Sequence, residues 1–575
     1  MKLLNDLRKR LLLVGCVAAV VLGSGTAKAD FTFGHPTNSG PTLNSPGGSS
    51  MNGDDFPSCF SADGLELYFI SRRTGGQGLY DIWVAQRETV DGEWGTPVNL
   101  GSPVNTSTWE WSACLSADGL ELYFDIQPSY GSSSDIWITR RATKDDVWGI
   151  PEKLGPMVNS PSGDSEPYVS PDGLELSFSS GRPGGLGGWD IWVSRRATKG
   201  DPWEEPINLG SVVNSSAGET WHSISSDGLL LFLSGDATGG LLRPGGFGGS
   251  DLWVTRRATV SDPWGAPVNL GPIVNSRHHD CCPLISPDGS TLYFSSARPG
   301  GLGGPYYGDI WQAPIVPITD FNGDGKVDGF ELCRMADRWG TDDSLCDIGP
   351  MAWGDGIVDI EDLKVLAEYI GKDVDDPTLI AHWALDEIEG DVAYDSAVQN
   401  DAVILGNATW VPENGHIDGT LNFDGIDDYI ETPHILNPAK GAFSVFAWIK
   451  GGAPGQVILS QAEGMNWLMI DPEQATLRTS LTQPAVNIRG KITEGPALTS
   501  LSNITDGNWH RVGLVRDGSD RILYVDDVEV ARDTIEKLES SNGGLSIGAG
   551  SYLEPDSFWS GMIDDVRIYN RVVKP

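Results

Sequence analysis

Apolar and polar positions alternate in short runs along the first half of the chain, and the runs recur. "LELYF" at Leu65–Phe69 returns at Leu120–Phe124, as "LELSF" at Leu174–Phe178, "LLLFL" at Leu229–Leu233 and "TLYF" at Thr291–Phe294. Each is preceded by Ser-x-Asp-Gly, whose aspartates (Asp63, Asp118, Asp172, Asp227 and Asp288) stand 55, 54, 55 and 61 residues apart. Each is followed by "DIW" or "DLW", at Asp81, Asp135, Asp190, Asp251 and Asp309. In the first four copies a Trp-x-x-Pro segment then runs into "NLG" or "KLG". Period-two alternation bounded by Asp-Gly turns predicts half-buried strands. Repetition at this period means a solenoid or a propeller, and four short strands per unit choose the propeller.

The fifth unit breaks off at "DIWQAPIVPI" and has no Trp-x-x-Pro strand, whereas "FTFGHPTNSGPTLNS" (Phe31–Ser45) has that segment and no unit before it. Residues 31–40 are therefore expected to supply the missing outer strand and close the ring, leaving no open sheet edge. With its "SPDG", "LYFSSARPGGLGG" and "DIW" elements, the stretch 31–315 resembles the WD40-like repeats of TolB-type propellers. The resemblance implies a five-bladed β-propeller over residues 30–317. It implies little about activity, because propellers host enzymes, scaffolds and lectins.

An acid stands six residues before each motif serine: Asp55, Glu110, Asp164, Glu219 and Asp280. In this repeat class that segment leads into the innermost strand, so five carboxylates are expected around one mouth of the central channel. They can accept hydrogen bonds from backbone or hydroxyl groups of a neighbouring blade. They can hold a cation or polyol, since converging carboxylates raise one another's pKa unless a cation offsets the repulsion. Two of them can also act across a glycosidic bond, but that needs one acid protonated and one ionised by unlike surroundings, which a repeated acid does not offer. In the same mouth "RHHDCC" (Arg277–Cys282) carries soft-metal ligand types. Neighbours on a strand point to opposite faces, so no more than half of them can converge. Cys59 and Cys114 hold equivalent places in two blades, as small buried thiols do.

After "APIVPIT" the composition changes. "DFNGDGKVDGFE" (Asp320–Glu331) fits an EF-hand loop: Asp320, Asn322, Asp324 and Asp328 at places one, three, five and nine, Gly325 at the bend, Lys326 giving a carbonyl, Glu331 at twelve. A hard cation taking roughly six to eight oxygen ligands needs carboxylates so spaced, which makes calcium the expected cofactor. In "WGDGIVDIEDLKVLAEYI", Asp355, Asp359 and Asp362 take places five, nine and twelve. Met351 and Trp353 fall at one and three and cannot bind calcium, so this loop is degenerate or borrows Asp347 through a longer bulge. The pair resembles dockerin modules, which implies a module at 318–372 and docking on cohesin partners. The departure in the second loop leaves a rigid spacer as the more economical role. Cys333 and Cys346 flank the linker between the loops and are candidates for a disulfide.

Beyond an acidic linker the chain again alternates in short runs, with "LIAHWALDE" (Leu379–Glu387), "LNFDGIDDYIE" (Leu421–Glu431), "FSVFAWIK" (Phe443–Lys450), "DGNWHRVGLVRDG" (Asp506–Gly518) and "FWSGMIDDVRIYNR" (Phe558–Arg571). These landmarks resemble a laminin-G-like, concanavalin-type antiparallel jelly-roll sandwich at 378–575. Trp383, Trp448 and Trp509 sit in apolar strand patterns and are expected in its core. The resemblance implies glycan or protein ligands, and a calcium ion tying the first and last strands through Asp565 with Asp386, Asp427 or Asp428. The alternative is that these acids cap turns.

Composition narrows the rest. Against 39 Lys+Arg stand 79 Asp+Glu, a formal charge of −40. Such a field repels phosphate backbones and attracts divalent cations, which excludes nucleic acid as a partner. The first residues read as an export signal, a basic "MKLLNDLRKR", an apolar run and "AKA", with cleavage after Ala29. A secreted or periplasmic location follows, with lipid anchoring at Cys16 as the alternative. No other segment is long enough to span a bilayer. There is no Gly-x-Ser-x-Gly elbow, phosphate-binding glycine loop or His-Glu-x-x-His helix. The expectation is an exported, noncatalytic protein that binds carbohydrate or cell-surface ligands. The alternatives are a glycoside hydrolase whose propeller cleaves, and an envelope scaffold binding other proteins.

Overall fold

The computed structural model describes residues 31–575 except 47–52, 130, 237–241, 247, 304–307, 344, 372–375, 377, 398–399, 463–464, 483–485, 489–490 and 494–495. The expected export signal, Ala29 and Cys16 lie outside the described residues. The protein is mainly β, a five-bladed propeller and a jelly-roll sandwich with a few short helices.

Each blade is an antiparallel sheet whose strands follow one another in sequence, as in blade 1 with Asp55–Phe60, Glu66–Ser71, Asp81–Gln86 and Val98–Asn99. Its motif residues are the joints. In the Ser-x-Asp-Gly turn, Ser61 Oγ donates to Asp63 Oδ1 (2.6 Å) and accepts from Glu66 N–H (2.9 Å). Gly64 closes that turn at φ +70°, a conformation favouring glycine. The other four copies repeat the serine bonds. A buried asparagine clamps each third strand at both backbone groups of one residue: Asn105 on Ile82, Asn159 on Ile136, Asn214 on Ile191 and Asn275 on Leu252.

Blade 5 takes its outer strand from the other end of the chain. Thr37 and Asn38 pair with Gln312 and Trp311, and Phe31–Phe33 pairs with Ile315–Pro317. The imported segment reproduces the native joints. Asn38 Nδ2 donates to Asp309 Oδ2 (2.7 Å), and Asn44 clamps Ile310.

One joint is still missing there. In blades 1 to 4 an arginine donates to the motif glycine carbonyl and lies over the Trp-x-x-Pro indole: Arg87 on Gly64 over Trp94 (4.4 Å), Arg141 over Trp148 (4.3 Å), Arg196 over Trp203 (4.2 Å) and Arg257 over Trp264 (4.2 Å). Blade 5 has Ile315 in place of the arginine and no such tryptophan. Trp353, from the helical module, fills the position, its ring 2.5 Å from where a Cβ on Gly289 would sit. The indole is fully buried beside Phe31 (5.8 Å), its Nε1 donates to Asp227 Oδ2 (2.8 Å), and Arg256 donates to its carbonyl (2.7 Å).

The module has two helices, Gly329–Asp337 and Ile360–Tyr369, over a small core that includes Phe321, Met335, Ile348 and Leu366. Its first loop meets the sandwich. Arg571 donates to Asp320 O (3.1 Å), and Tyr569 Oη to Gly323 O (2.7 Å). The sandwich pairs its first strand, Leu379–Trp383, with its last, Ser560–Tyr569. Two sheets enclose a core holding the fully buried Trp383, Trp467 and Trp559.

Trp353→Ala is expected to cost about 3–5 kcal/mol. Calorimetry should show the propeller melting earlier, and X-ray scattering a wider separation of the two large domains. A chain starting at residue 46 should lose the cooperative melt of the propeller, because blade 5 then exposes an unpaired strand edge.

Candidate functional site

The acidic loop Asp320–Glu331 is organised by its two end acids. Buried Asp320 accepts from the N–H of Gly323 (2.7 Å) and Asp324 (3.3 Å) on Oδ1 and from Gly325 (2.8 Å) on Oδ2. Asn322 donates to Asp324 Oδ2 (3.1 Å), and Lys326 N–H to Asp324 Oδ1 (2.9 Å). Asp328 caps the following helix, and Glu331 turns back so that Oε2 accepts from Asp328 N–H (2.8 Å). Glu331 Oε1 is buried and has no partner. Burial pushes the Asp320 and Glu331 carboxyls above the usual range, and the Asp324 carboxylate adds to both. An orphaned carboxylate oxygen among mutually repelling acids fits a hard cation, whose charge would offset both penalties.

The second loop has the same frame with a different filling. Asp347 does take the place of Asp320, accepting from Asp355 N–H (2.9 Å) and Gly356 N–H (2.8 Å) across four extra residues. Asp362 Oδ2 accepts from Asp359 N–H (2.6 Å), as Glu331 does in the first loop. Its other oxygen, however, is satisfied by the N–H groups of Ile348 (2.6 Å) and Gly349 (2.8 Å). The insertion thus supplies backbone donors where a cation would sit, and carries Met351 and Trp353 to the propeller.

The expected Cys333–Cys346 bridge is not formed. Both thiols are free, Cys333 exposed and Cys346 buried in the module core. Glu331 and Met335 hold the inward face of the helix, which turns Cys333 to solvent.

The five channel acids are all fully buried at the heads of the inner strands. In four blades an arginine of the same blade pairs with the acid: Arg73–Asp55 (3.0 Å), Arg182–Asp164 (2.6 Å), Arg243–Glu219 (3.0 Å) and Arg298–Asp280 (2.8 Å). Blade 2 has no such arginine, and Glu110 accepts from Thr106 (2.5 Å) and Thr108 (3.1 Å) hydroxyls instead. The four acids paired with arginine also accept from backbone N–H groups, of Ser45 on Asp55, Ser160 on Asp164, Ser215 on Glu219 and Ser276 on Asp280. The sequence signal was the arginine of "RTGG" or "RPGG", which recurs 18 residues after Asp55, Asp164 and Asp280 as Arg73, Arg182 and Arg298. "RHHDCC" does not converge. His278 is exposed, His279 Nδ1 accepts from Ser250 N–H (3.1 Å), Asp280 meets Arg298, and Cys281 and Cys282 are buried in the propeller core.

On the sandwich the four candidate acids separate. Asp427 and Asp428 join Asp424, the only group among the described residues with three such ligand atoms within 4.8 Å of one another. Asp428 already accepts from Asp424 N–H (2.9 Å) and Asn407 N–H (2.5 Å). Asp565 accepts from His382 (2.8 Å) and Arg567 (3.0 Å), and Asp386 from Gly419 N–H (2.7 Å). Between them lies Asp564, which the sequence reading missed. Its Oδ2 accepts from His416 N–H (2.7 Å) and Ile417 N–H (2.9 Å), while Oδ1 is buried and unpartnered. Burial, with the charges of Asp565 and Asp386, lifts its pKa to about 7.

Beside Asp564 two tryptophans expected in the core stand partly exposed, Trp448 on a strand and Trp509 just before the strand His510–Asp517. Trp448 alternates with buried Ala447 and Ile449, and His416 stacks on it (3.4 Å, 17°). Trp509 lies edge-on to His416 (6.1 Å). Only Trp383 of the three is core, because strand alternation turns Trp448 outward.

Residues 424–575 match the Concanavalin A-like lectin/glucanases superfamily. No curated protein matches the chain. Among solved structures, Trypanosoma rangeli sialidase in complex with sialic acid is 13% identical at TM-score 0.35, covering 90% of this chain and 91% of that one. Domain 4 of AbnA, an extracellular arabinanase from Geobacillus stearothermophilus in complex with arabinotriose, is 17% identical at TM-score 0.25, covering 34% and 94%. TolB from Acinetobacter baumannii is 16% identical at TM-score 0.30, covering 45% and 54%. At these scores the structural likenesses carry no argument about activity.

A raised carboxyl pKa stabilises the fold fully below the unfolded value and loses that contribution as pH rises through the folded one. Asp564→Asn should therefore gain on the parent in melting temperature between pH 5 and pH 8, measured in chelator, by a few degrees at most.

Proposed function

We propose that this is an exported, noncatalytic carbohydrate-recognition protein, in which a calcium-binding module holds a propeller and a lectin-like sandwich at a set separation. The observation that carries the reading is the C-terminal match to a lectin superfamily, on a domain whose outer face presents Trp448, Trp509 and His416 beside acidic side chains. Partly exposed aromatic faces next to a few polar groups are what a sugar-binding surface requires. The net charge of −40 directs the choice toward neutral rather than anionic glycans. Calcium belongs in the first loop, held by Asp320, Asn322, Asp324, the Lys326 carbonyl, Asp328 and Glu331. The second loop is degenerate and serves as a docking element. Two modest sites on one rigid chain would act bivalently on a polysaccharide.

A second reading, a glycoside hydrolase, is favoured by one feature. Asp125, buried and lifted to about 7, accepts from the backbone N–H of Glu166 (3.2 Å), so two acids with unlike surroundings adjoin at the propeller centre. Release of reducing sugar from neutral polysaccharides, abolished by Asp125→Asn, would establish it.

A glycan array probed with the mature chain tests the main reading. Binding that Trp448→Ala and Trp509→Ala together reduce at least tenfold supports it, and an array without signal defeats it. Calorimetric titration should give calcium binding in the first loop that Glu331→Gln removes and Asp355→Asn leaves intact. Saturation at about a hundred times Kd should stabilise the chain by roughly 2.7 kcal/mol.

A further inference from the structure

Residues shared by all five blades hold the wheel together, so a site for one ligand has to be built from residues in which the blades differ. Those differences gather at the centre. Each inner strand carries a bulge, and at it the blades present in turn Phe56 and Pro57, Trp111 and Ser112, Ser165 and Glu166, Thr220 and Trp221, and Cys281 and Cys282. Bulges re-aim side chains, and these do so at a cost. Ser112 (φ +42°), Glu166 (+59°), Trp221 (+45°) and Cys282 (+55°) occupy the left-handed region. For residues other than glycine that is unfavourable by roughly 1–2 kcal/mol each.

The bulges bring blades 1, 2 and 4 together in an aromatic floor. Phe56 stacks on Trp221 (5.8 Å, 11°), and Trp111 meets both edge-on (5.7 and 6.2 Å). Tyr80 lies 4.2 Å from Trp111, and Trp109 lies 6.3 Å from each. Phe56 and Tyr80 are buried, whereas Trp109, Trp111 and Trp221 are partly exposed. Polar groups border this floor. Glu166, also partly exposed, accepts from Trp221 N–H (2.5 Å) on Oε2. Asp125 stands where the other blades have Ile70, Ser179, Ser234 and Ser295, and accepts from Ser165 Oγ (2.9 Å). Two polar atoms are left without partners: Ser112 Oγ, in a residue only 5% exposed, and Arg72 Nε, whose guanidinium lies over Tyr80 (4.9 Å).

We propose that this channel mouth is a second glycan site, taking a neutral pyranose unit on the indole faces with Glu166, Ser112 and Arg72 addressing its hydroxyls. The choice of a sugar rests on the carbohydrate reading above; the site itself rests on the departures from the repeat. Indole faces cover the C–H face of a pyranose, while a carboxylate, a hydroxyl and a guanidinium supply acceptors and donors for its hydroxyls. The surrounding acids disfavour an anionic sugar.

The test uses the mature chain with Trp448→Ala and Trp509→Ala already in place, so that the sandwich platform is silent. Gluco-, manno-, xylo- and arabino-hexasaccharides are titrated by calorimetry and tryptophan fluorescence. Saturable binding of one of them, weakened roughly tenfold by Glu166→Gln and by Trp111→Phe with an unchanged melting temperature, is expected. Binding that both changes leave untouched overturns the site while leaving the carbohydrate reading in place. Binding by the parent that vanishes with the two sandwich changes does the same. No binding by any form, parent included, overturns both.

Discussion

Every other feature of the propeller depends on closure of the ring. A blade is stable because its inner, outer and clamping contacts are all present, and the fifth repeat as encoded lacks three of them: the outer strand, the asparagine clamp and the arginine–tryptophan lid. Thr37–Asn38 restores the first and Asn44 the second. The third comes from Trp353, from beyond the repeat. The wheel is therefore completed from both sides in sequence, by a segment before it and by the module after it. A gap at either place would leave apolar surface and unpaired backbone at one seam.

The same fact explains an oddity of the second EF-hand-type loop. A tryptophan at a ligand place looks like decay when the loop is judged as a calcium site. Asp347 keeps the backbone frame, and the extra N–H groups of Ile348 and Gly349 occupy the Asp362 oxygen that Glu331, its counterpart, leaves open. Backbone donors thus satisfy Asp362 from within the loop that presents the Trp353 indole to blade 5.

Much of the architecture was legible because repetition lets a sequence be compared with itself. Five copies of Ser-x-Asp-Gly and "DIW" gave the blades, and the truncated fifth copy gave the closing strand. The Asn105, Asn159, Asn214 and Asn275 clamps stand in the sequence as a fixed column, and an arginine recurs at one spacing from the channel acid in blades 1, 3 and 5. What spacing alone does not reveal is direction. Trp448 sits in an apolar run yet faces outward, because it alternates with Ala447 and Ile449. Cys333 and Cys346 are close in sequence, but one faces solvent and the other is buried in the module core. Asp564 was hidden behind Asp565, since neighbours on a strand look alike in sequence while one is buried against the His416 turn and the other meets His382. The aromatic floor at the channel was unreadable for the same reason, because bulges break the period-two rule at the positions that build it.

How the two large domains are joined bears directly on the bivalent recognition proposed above. The backbone carbonyls of the first loop, at Asp320, Asn322 and Gly323, receive Arg571, Arg511, Arg567 and Tyr569 from the sandwich. Those carbonyls point outward while the carboxylates of Asp320 and Asp324 accept from backbone N–H groups around the Gly325 bend. Folding of the loop and docking of the sandwich are thus one event seen from two sides. Trp353 fixes the module to blade 5, so the module contacts both large domains. A flexible tether would spread the second site over many positions and dilute its effective concentration. A module clamped at both ends restricts it to few, so under the proposed bivalent binding the affinity of the whole would depend on how well the spacing of the two faces matches the repeat of the polymer.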